Sequence, residues 1–375
     1  MRNPFTPSFG VTPPVLAGRD DLLENFAEAI DSGVGHPWRC LLLKGLRGSG
    51  KTVALNALED IAHMRDWIVV STTCRPGFSQ ELTESLIPFE LEKLDSPSLK
   101  PHISSLHFSL GGAGGGVELE HSASAVRPSL RIALTQLATL ADKNDRGVLL
   151  TVDEIHRDAQ HDLIIVSQTL QHLFREGHPF IFVAAGLPLS VDGLLHDNVT
   201  TFMRRAQKYT LDNIDYDSIV PALRDPINNS GYSITPDALA EAVSATRGYP
   251  YLIQSIGFHM LQQTKNIETI DIGVAQRGIE KAIRSIGSLI HEPALQGLSD
   301  IDRSYLAAMS QDDGPSSTGD IAHRLRQTPQ YAGMYRKRLL DAELIQECGR
   351  GKVTFTLPYL RNYLRNHAAS TIFNE

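Results

Sequence analysis

The segment that most constrains this chain is GLRGSGKT, Gly45 to Thr52. It follows the apolar run WRCLLLKG (Trp38 to Gly45) and precedes KTVALNALEDIAHMR, where Val53, Ala54, Ala57, Leu58, Ile61 and Ala62 recur at helical spacing. The local order is therefore buried strand, glycine turn, helix. Gly45, Gly48 and Gly50 let consecutive backbone N–H groups turn toward one point, and the helix beginning near Lys51 adds about half a positive charge at its N-terminus. This is a cradle for phosphate. Gly45, Arg47, Gly48, Ser49, Gly50, Lys51, Thr52 and Val53 are expected to line it, with Lys51 on the β- and γ-phosphates and the Thr52 hydroxyl on Mg2+.

A second segment completes the chemistry. VLLTVDEIHR is an apolar strand that ends in Asp153 and Glu154. At the C-terminal edge of a parallel sheet, beside a phosphate loop, Asp153 takes the magnesium position and Glu154 orients an attacking water. His156 has no required role there and reads as a surface residue. The other glycine-rich run, GGAGGG at Gly111 to Gly116, has no lysine and no helix start after it. Phosphate would meet neither a dipole nor a cation, so a hairpin tip near 101–123 is the expectation.

Further apolar runs at WIVVSTTC, GVLLTVDE, PFIFVAAG and QKYTLD alternate with amphipathic stretches, which predicts an α/β fold with a parallel sheet covered by helices on both faces. From Asn213 helical patterns take over. TPDALAEAVSATRG has Thr235 as N-cap, Pro236 at the first helical position and Gly248 at its end; further helices follow from Pro250 and from about Asp271. HEPALQGLSD (His291 to Asp300) reads as a hinge. Beyond it come three helices and then IQECGRGKVTFTLP, where Val353, Phe355 and Leu357 alternate with polar residues after a glycine turn. Three helices and a hairpin make a winged helix. The expected organisation is a core over 1–212, a helical lid over 213–290 and a winged helix over 291–375.

At 375 residues the chain is long for a single core. Its 42% hydrophobic and 21% charged residues are those of a globular protein, and its net charge of −8 excludes a global attraction to nucleic acid or anionic membranes. Cys40, Cys74 and Cys348 form neither a disulfide framework nor a zinc cluster. The N-terminus lacks a signal-peptide core and no apolar run reaches the roughly 20 residues of a membrane helix, so a cytoplasmic protein with no membrane partner is expected.

In order along the chain, PPVLAGRDDLLENF, GLRGSGKT, LLTVDEIH, AAGLP, RRAQKYTL and TRGYPYLIQSIG resemble the motifs of AAA+/STAND-type P-loop ATPases. In particular they resemble bacterial relatives of the archaeal and origin-recognition-type ATPases that end in a winged helix. The resemblance implies ATP and Mg2+ as cofactors, with ATP or ADP held between core and lid. It implies base-side contacts at Gly18 and Arg19, a lid contact at Pro250, and an arginine at Arg205, with Arg204 as its rival, approaching the γ-phosphate, often that of a neighbouring subunit in an ATP-dependent self-association. One departure stands out. Many members carry a polar residue at the end of the strand after the Asp-Glu strand, where this chain has Ala184, Ala185 and Gly186. Slow or partner-dependent hydrolysis follows from that loss.

The last unit is locally basic, and Arg336, Lys337 and Arg338 on its third helix, with Arg350 and Lys352 on the wing, are the candidate contacts to duplex DNA. Two functions fit this pattern. One is a slowly hydrolysing ATP switch whose winged helix associates with DNA. The other is a signalling or scaffold switch that holds nucleotide and uses the winged helix to contact protein.

Overall fold

A computed structural model describes residues 3–8, 10–13, 15–95, 129–196, 202–264 and 268–371. The hairpin expected near 101–123 lies outside the described residues.

Five short strands, β1 (Cys40–Lys44), β2 (Ile68–Thr73), β3 (Val148–Ile155), β4 (Phe180–Gly186) and β5 (Gln207–Thr210), form one parallel sheet in the order β2-β3-β4-β1-β5. The near-continuous apolar sequences of β1, β3 and β4 suit strands buried on both faces, while the edge strands β2 and β5 carry polar, partly exposed residues. Helices α1 (Asp20–Ser32) and α2 (Lys51–Met64) pack one face, against Leu41, Leu43, Leu149, Ile181 and Val183. The opposite face is covered by α3 (Phe78–Glu81), α4 (Ile87–Asp95), α5 (Leu130–Asp142), α6 (Gln160–Glu176) and α7 (Pro188–His196), against Leu42, Val148, Leu150, Phe180 and Phe182. Alternation along each strand thus feeds two cores. The order also sets β1 and β3 on either side of β4, so the turns after both strands open at the same sheet edge.

The next segment holds α8 (Tyr216–Asn229), α9 (Pro236–Thr246), α10 (Pro250–Gln262), α11 (Ile272–Ile286) and α12 (Glu292–Gln296), with a two-residue parallel pair, β6 (Ser233–Ile234) and β7 (Thr269–Ile270). The stretch from His291, read as a hinge, is largely helical. A π-turn over Gly287–His291 carries α11 into α12, with Glu292 N–H bonded to Gly287 O, and Pro293, which donates no N–H, follows directly after Glu292.

Helices α13 (Asp300–Ser310), α14 (Thr318–Arg324) and α15 (Pro329–Asp341) are followed by an antiparallel sheet. It pairs β8 (Ser316–Ser317), β10 (Lys352–Phe355) and β9 (Ile345–Glu347), and α16 (Leu360–Thr371) closes the chain. Gly349 (φ +117°) and Gly351 (φ +71°) form the turn between β9 and β10. One buried cluster runs without a break from Leu223, Leu252 and Ile256 through Ile286 to Leu306, Leu339 and Leu360. The helical segment and the C-terminal segment therefore share a core separate from the two that flank the sheet. Phe5 is inserted into that shared core, against Gly257. No helix among the described residues is long and apolar enough to cross a membrane.

Candidate nucleotide-binding site

The loop after β1 is held by two backbone bonds, Gly45 N–H to Gly186 O (3.3 Å) and Ser49 N–H to Leu46 O (3.2 Å). Gly48 and Gly50 have φ of +72° and +89°, where a side chain is strained. Gly45 needs its missing Cβ for another reason: that atom would stand 2.2 Å from Ser49 Oγ. Gly50 is the N-cap of α2 and caps no amide with a side chain, so the first-turn N–H groups remain available to an anion.

Lys51 Nζ donates to Gly45 O and Leu46 O, each at 2.8 Å, which folds the ammonium back over the loop. Burial lowers its pKa, while Glu343 and Asp153 pull the other way. Thr52 Oγ1 donates to Asp153 Oδ2 at 2.6 Å, and Asp153 Oδ1 accepts from Glu154 N–H at 2.8 Å. The two motifs read from the sequence therefore meet. A hydroxyl and a carboxylate are hard oxygen donors, the set that Mg2+ takes beside substrate phosphates, so the residues present fit that ion. Glu154 is exposed, lies within the irregularity in β3 between Val152 and Ile155, and holds φ +57°. A non-glycine residue in that region is strained by about 1–3 kcal/mol, a cost that clusters at functional sites. Ala184 and Ala185 are fully buried, so the end of β4 offers no polar side chain to a water.

The wall beside the loop comes from three segments. Gly18 (φ +62°) lies against Ile214 and Ser218, and Gly248 (φ +74°) lies against Ile214 O. Arg19 is buried and donates Nη2 to Asp212 O at 2.6 Å, and burial lowers its pKa. Its guanidinium ties α1 to the chain that leaves β5. Pro250 opens α10, and the residue before it reaches furthest: Tyr249 Oη donates to Arg47 O at 2.6 Å. A Cβ on Gly48 would stand 2.0 Å from that hydroxyl. Arg205 is exposed in the short turn Met203–Arg205, and Arg204 donates Nε to Leu195 O at 2.7 Å.

Two residues of this site escape sequence reasoning. Tyr249 was visible only as the middle of GYP. Glu343 follows α15 and is buried, with Oε1 accepting from Leu189 N–H at 3.1 Å. Burial pushes its carboxyl up, while Leu189 N–H, Lys51 and Arg47 pull it down and Asp192 adds to the rise.

With these positions established, residues 15–183 match the family model described as AAA ATPase domain. That segment is similar to AAA ATPase domains. Residues 288–364 match a model described as a domain of unknown function. The chain is similar in fold to the Walker-type ATPase of Pyrococcus abyssi (TM-score 0.65, 17% identity, 93% of this chain and 96% of that one). It is also similar to the ORC2 protein of Aeropyrum pernix in ADPNP-ADP complexes (TM-score 0.61, 13% identity, 98% of each chain). No curated protein matches the chain in sequence. The matched segment thus carries Lys51, Thr52, Asp153 and Glu154, while Tyr249 and Glu343 approach it from outside.

The basic residues of the C-terminal segment include those with internal partners and those facing outward. Arg336 pairs with Glu347 (2.7 Å), and Arg338 pairs with buried Asp302 (2.7 Å). Arg324 donates to Asp312 Oδ2 (2.8 Å), while Arg361 and Arg365 bond carbonyls of the 310–314 stretch. Lys337, Arg338, Arg350 and Lys352 are exposed. Of the five candidate DNA contacts, partners distant in sequence therefore engage Arg336 and Arg338.

Proposed function

We propose that this chain is a Mg2+-dependent ATPase of the AAA+/STAND type that works as a slow switch, with a helical lid over 213–290 and a winged helix over 291–375 that associates with duplex DNA. The reading is carried by one observation, the convergence of Lys51, the Thr52–Asp153 pair and the lid residue Tyr249 on one glycine loop. Lys51 and the loop amides bind phosphate, Thr52 and Asp153 hold Mg2+, and Glu154 orients water. The metal supplies charge neutralisation when bound. Gly18, Arg19 and Pro250 shape the base side. The apolar end of β4 supports slow turnover, and exposed Arg205 is the residue assigned to a neighbouring subunit's γ-phosphate. The ORC2 protein of Aeropyrum pernix, alike in fold, has been solved in ADPNP-ADP complexes. The shared core of lid and C-terminal segment supports transmission as a body: a displacement at Tyr249 is carried to the winged helix without a soft joint. Buried thiols at Cys40 and Cys74 suit a reducing cytoplasm.

A second reading, in which the winged helix contacts protein, is favoured by the ion pairs that occupy Arg336 and Arg338. A salt titration of duplex binding separates the two. If Lys337, Arg350 and Lys352 neutralise about three phosphates, log K against log salt has a slope of about −2.7. Absence of duplex binding at low salt, with and without Mg-ATP, overturns the DNA half.

A further inference from the structure

We propose that Glu343 is a built-in anion of the phosphate site, so that a bound triphosphate and the docked position of the lid and C-terminal body exclude one another. The inference rests on the nucleotide reading above and names its regulation.

Three features of Glu343 are unfavourable for the fold alone. Helix α15 ends in a left-handed turn, with Glu343 N–H bonded to Leu340 O (2.9 Å), Leu344 N–H bonded to Leu339 O (3.1 Å) and Glu343 at φ +55°. This is the position where glycine or asparagine normally sits, and another residue costs about 1–2 kcal/mol. The side chain is also buried, at 8% exposure. Lastly, Oε2 is buried with no hydrogen-bond partner, an arrangement that is costly for a carboxylate. A rule broken three times at one residue points to a gain elsewhere.

That gain lies at the phosphate loop. Leu189, whose N–H holds Oε1, is in the first turn of α7, just beyond Gly186, and Gly186 O holds Gly45 N–H. The carboxylate is attracted by Lys51 and Arg47. It contributes a negative charge where a triphosphate would bring several. A nucleotide on Lys51 withdraws that attraction and adds repulsion. The buried charge is then uncompensated, and such a charge is strongly destabilising. Because Glu343 belongs to the body that also carries Tyr249 and Phe5, the body shifts as one from this docked position.

The test uses the full chain with probes on Cys348, which is exposed, and on an added cysteine, K143C, at the exposed end of α5; Cys40 and Cys74 are buried. Pulsed electron resonance reads the distance between the probes, with and without Mg-ATP. The wild-type residue at 343 is expected to hold one distance without nucleotide and to shift when Mg-ATP is added. E343Q keeps shape and an acceptor for Leu189 N–H but removes charge. It is expected to show the shifted distance without nucleotide and to bind Mg-ATP about ten-fold more tightly. An E343Q protein with the wild-type distance and unchanged Kd overturns the proposal. If neither protein binds Mg-ATP, the nucleotide reading falls, and the exclusion of triphosphate by Glu343 falls with it. The nucleotide-free distance in E343Q then decides separately whether this residue latches the body.

Discussion

Acid should loosen the joint between α11 and the C-terminal segment through one histidine. His291 is 1% exposed, packs edge-on against Tyr363 at 5.3 Å between ring centres, and bonds Pro358 O through Nε2 at 2.9 Å. Nε2 therefore carries the proton, and Nδ1 is buried with no partner. Burial lowers the pKa from 6.5 to about 4, against a smaller opposing pull from the Pro358 carbonyl. The folded state prefers the neutral ring, so its contribution is full above pH 6.5 and is lost as pH falls toward about 4. At about 1.36 kcal/mol for each pH unit across which folded and unfolded states differ, the loss reaches about 3 kcal/mol. Urea unfolding of the wild type and His291→Gln from pH 8 to pH 4 isolates this histidine from the carboxylates, because glutamine retains an N–H for Pro358 and does not titrate. The wild type is expected to lose about 3 kcal/mol more than the variant between about pH 6.5 and 4. Parallel profiles for the two proteins would refute the reasoning.

The contact of Tyr249 with the glycine loop is tested at Gly48. Gly48→Ala forces a Cβ toward Tyr249 Oη in a backbone conformation with φ +72°, and should cost about 1–2 kcal/mol for the backbone and about 1 kcal/mol for the lost Tyr249–Arg47 bond. Denaturant unfolding of Gly48→Ala, Tyr249→Phe and the double variant should show less than additive losses, whereas full additivity means the two do not touch. Glu154→Gln should retain Mg-ATP binding and lower phosphate release by about 100-fold or more. Undiminished release assigns water activation to another group.

The parts of the fold legible in the sequence are those written locally. The strand before GLRGSGKT and the strand ending at Asp153 each announce themselves by an apolar run with a polar terminus, and the Thr52–Asp153 bond joins them as that pattern requires. The turn at Gly349 to Gly351 was equally plain. The strands β6, β7 and β8 were not, because two residues per strand carry no alternation. Helix α16 was missed because LPYLRNYLRNH is polar apart from the few residues that meet the core, Leu360 and Leu364 among them. Arg336 and Arg338 look like a surface patch until Glu347 and Asp302 are brought beside them by folding. Glu343 left one trace, the lack of glycine where DAEL ends a helix, and that trace names no partner. Its contact with Leu189 joins chain segments that no local pattern connects.

The central claim is that one glycine loop, Lys51 and the Thr52–Asp153 pair grip a magnesium triphosphate. Its most direct measurement is unfolding free energy with and without Mg-ATP for the wild type and Lys51→Ala. At a hundred times its dissociation constant the nucleotide should stabilise the wild type by about 2.7 kcal/mol, and Lys51→Ala should lose most of that gain at the same concentration. A wild-type protein whose stability does not change across millimolar Mg-ATP, or a Lys51→Ala protein that gains as much, would contradict it.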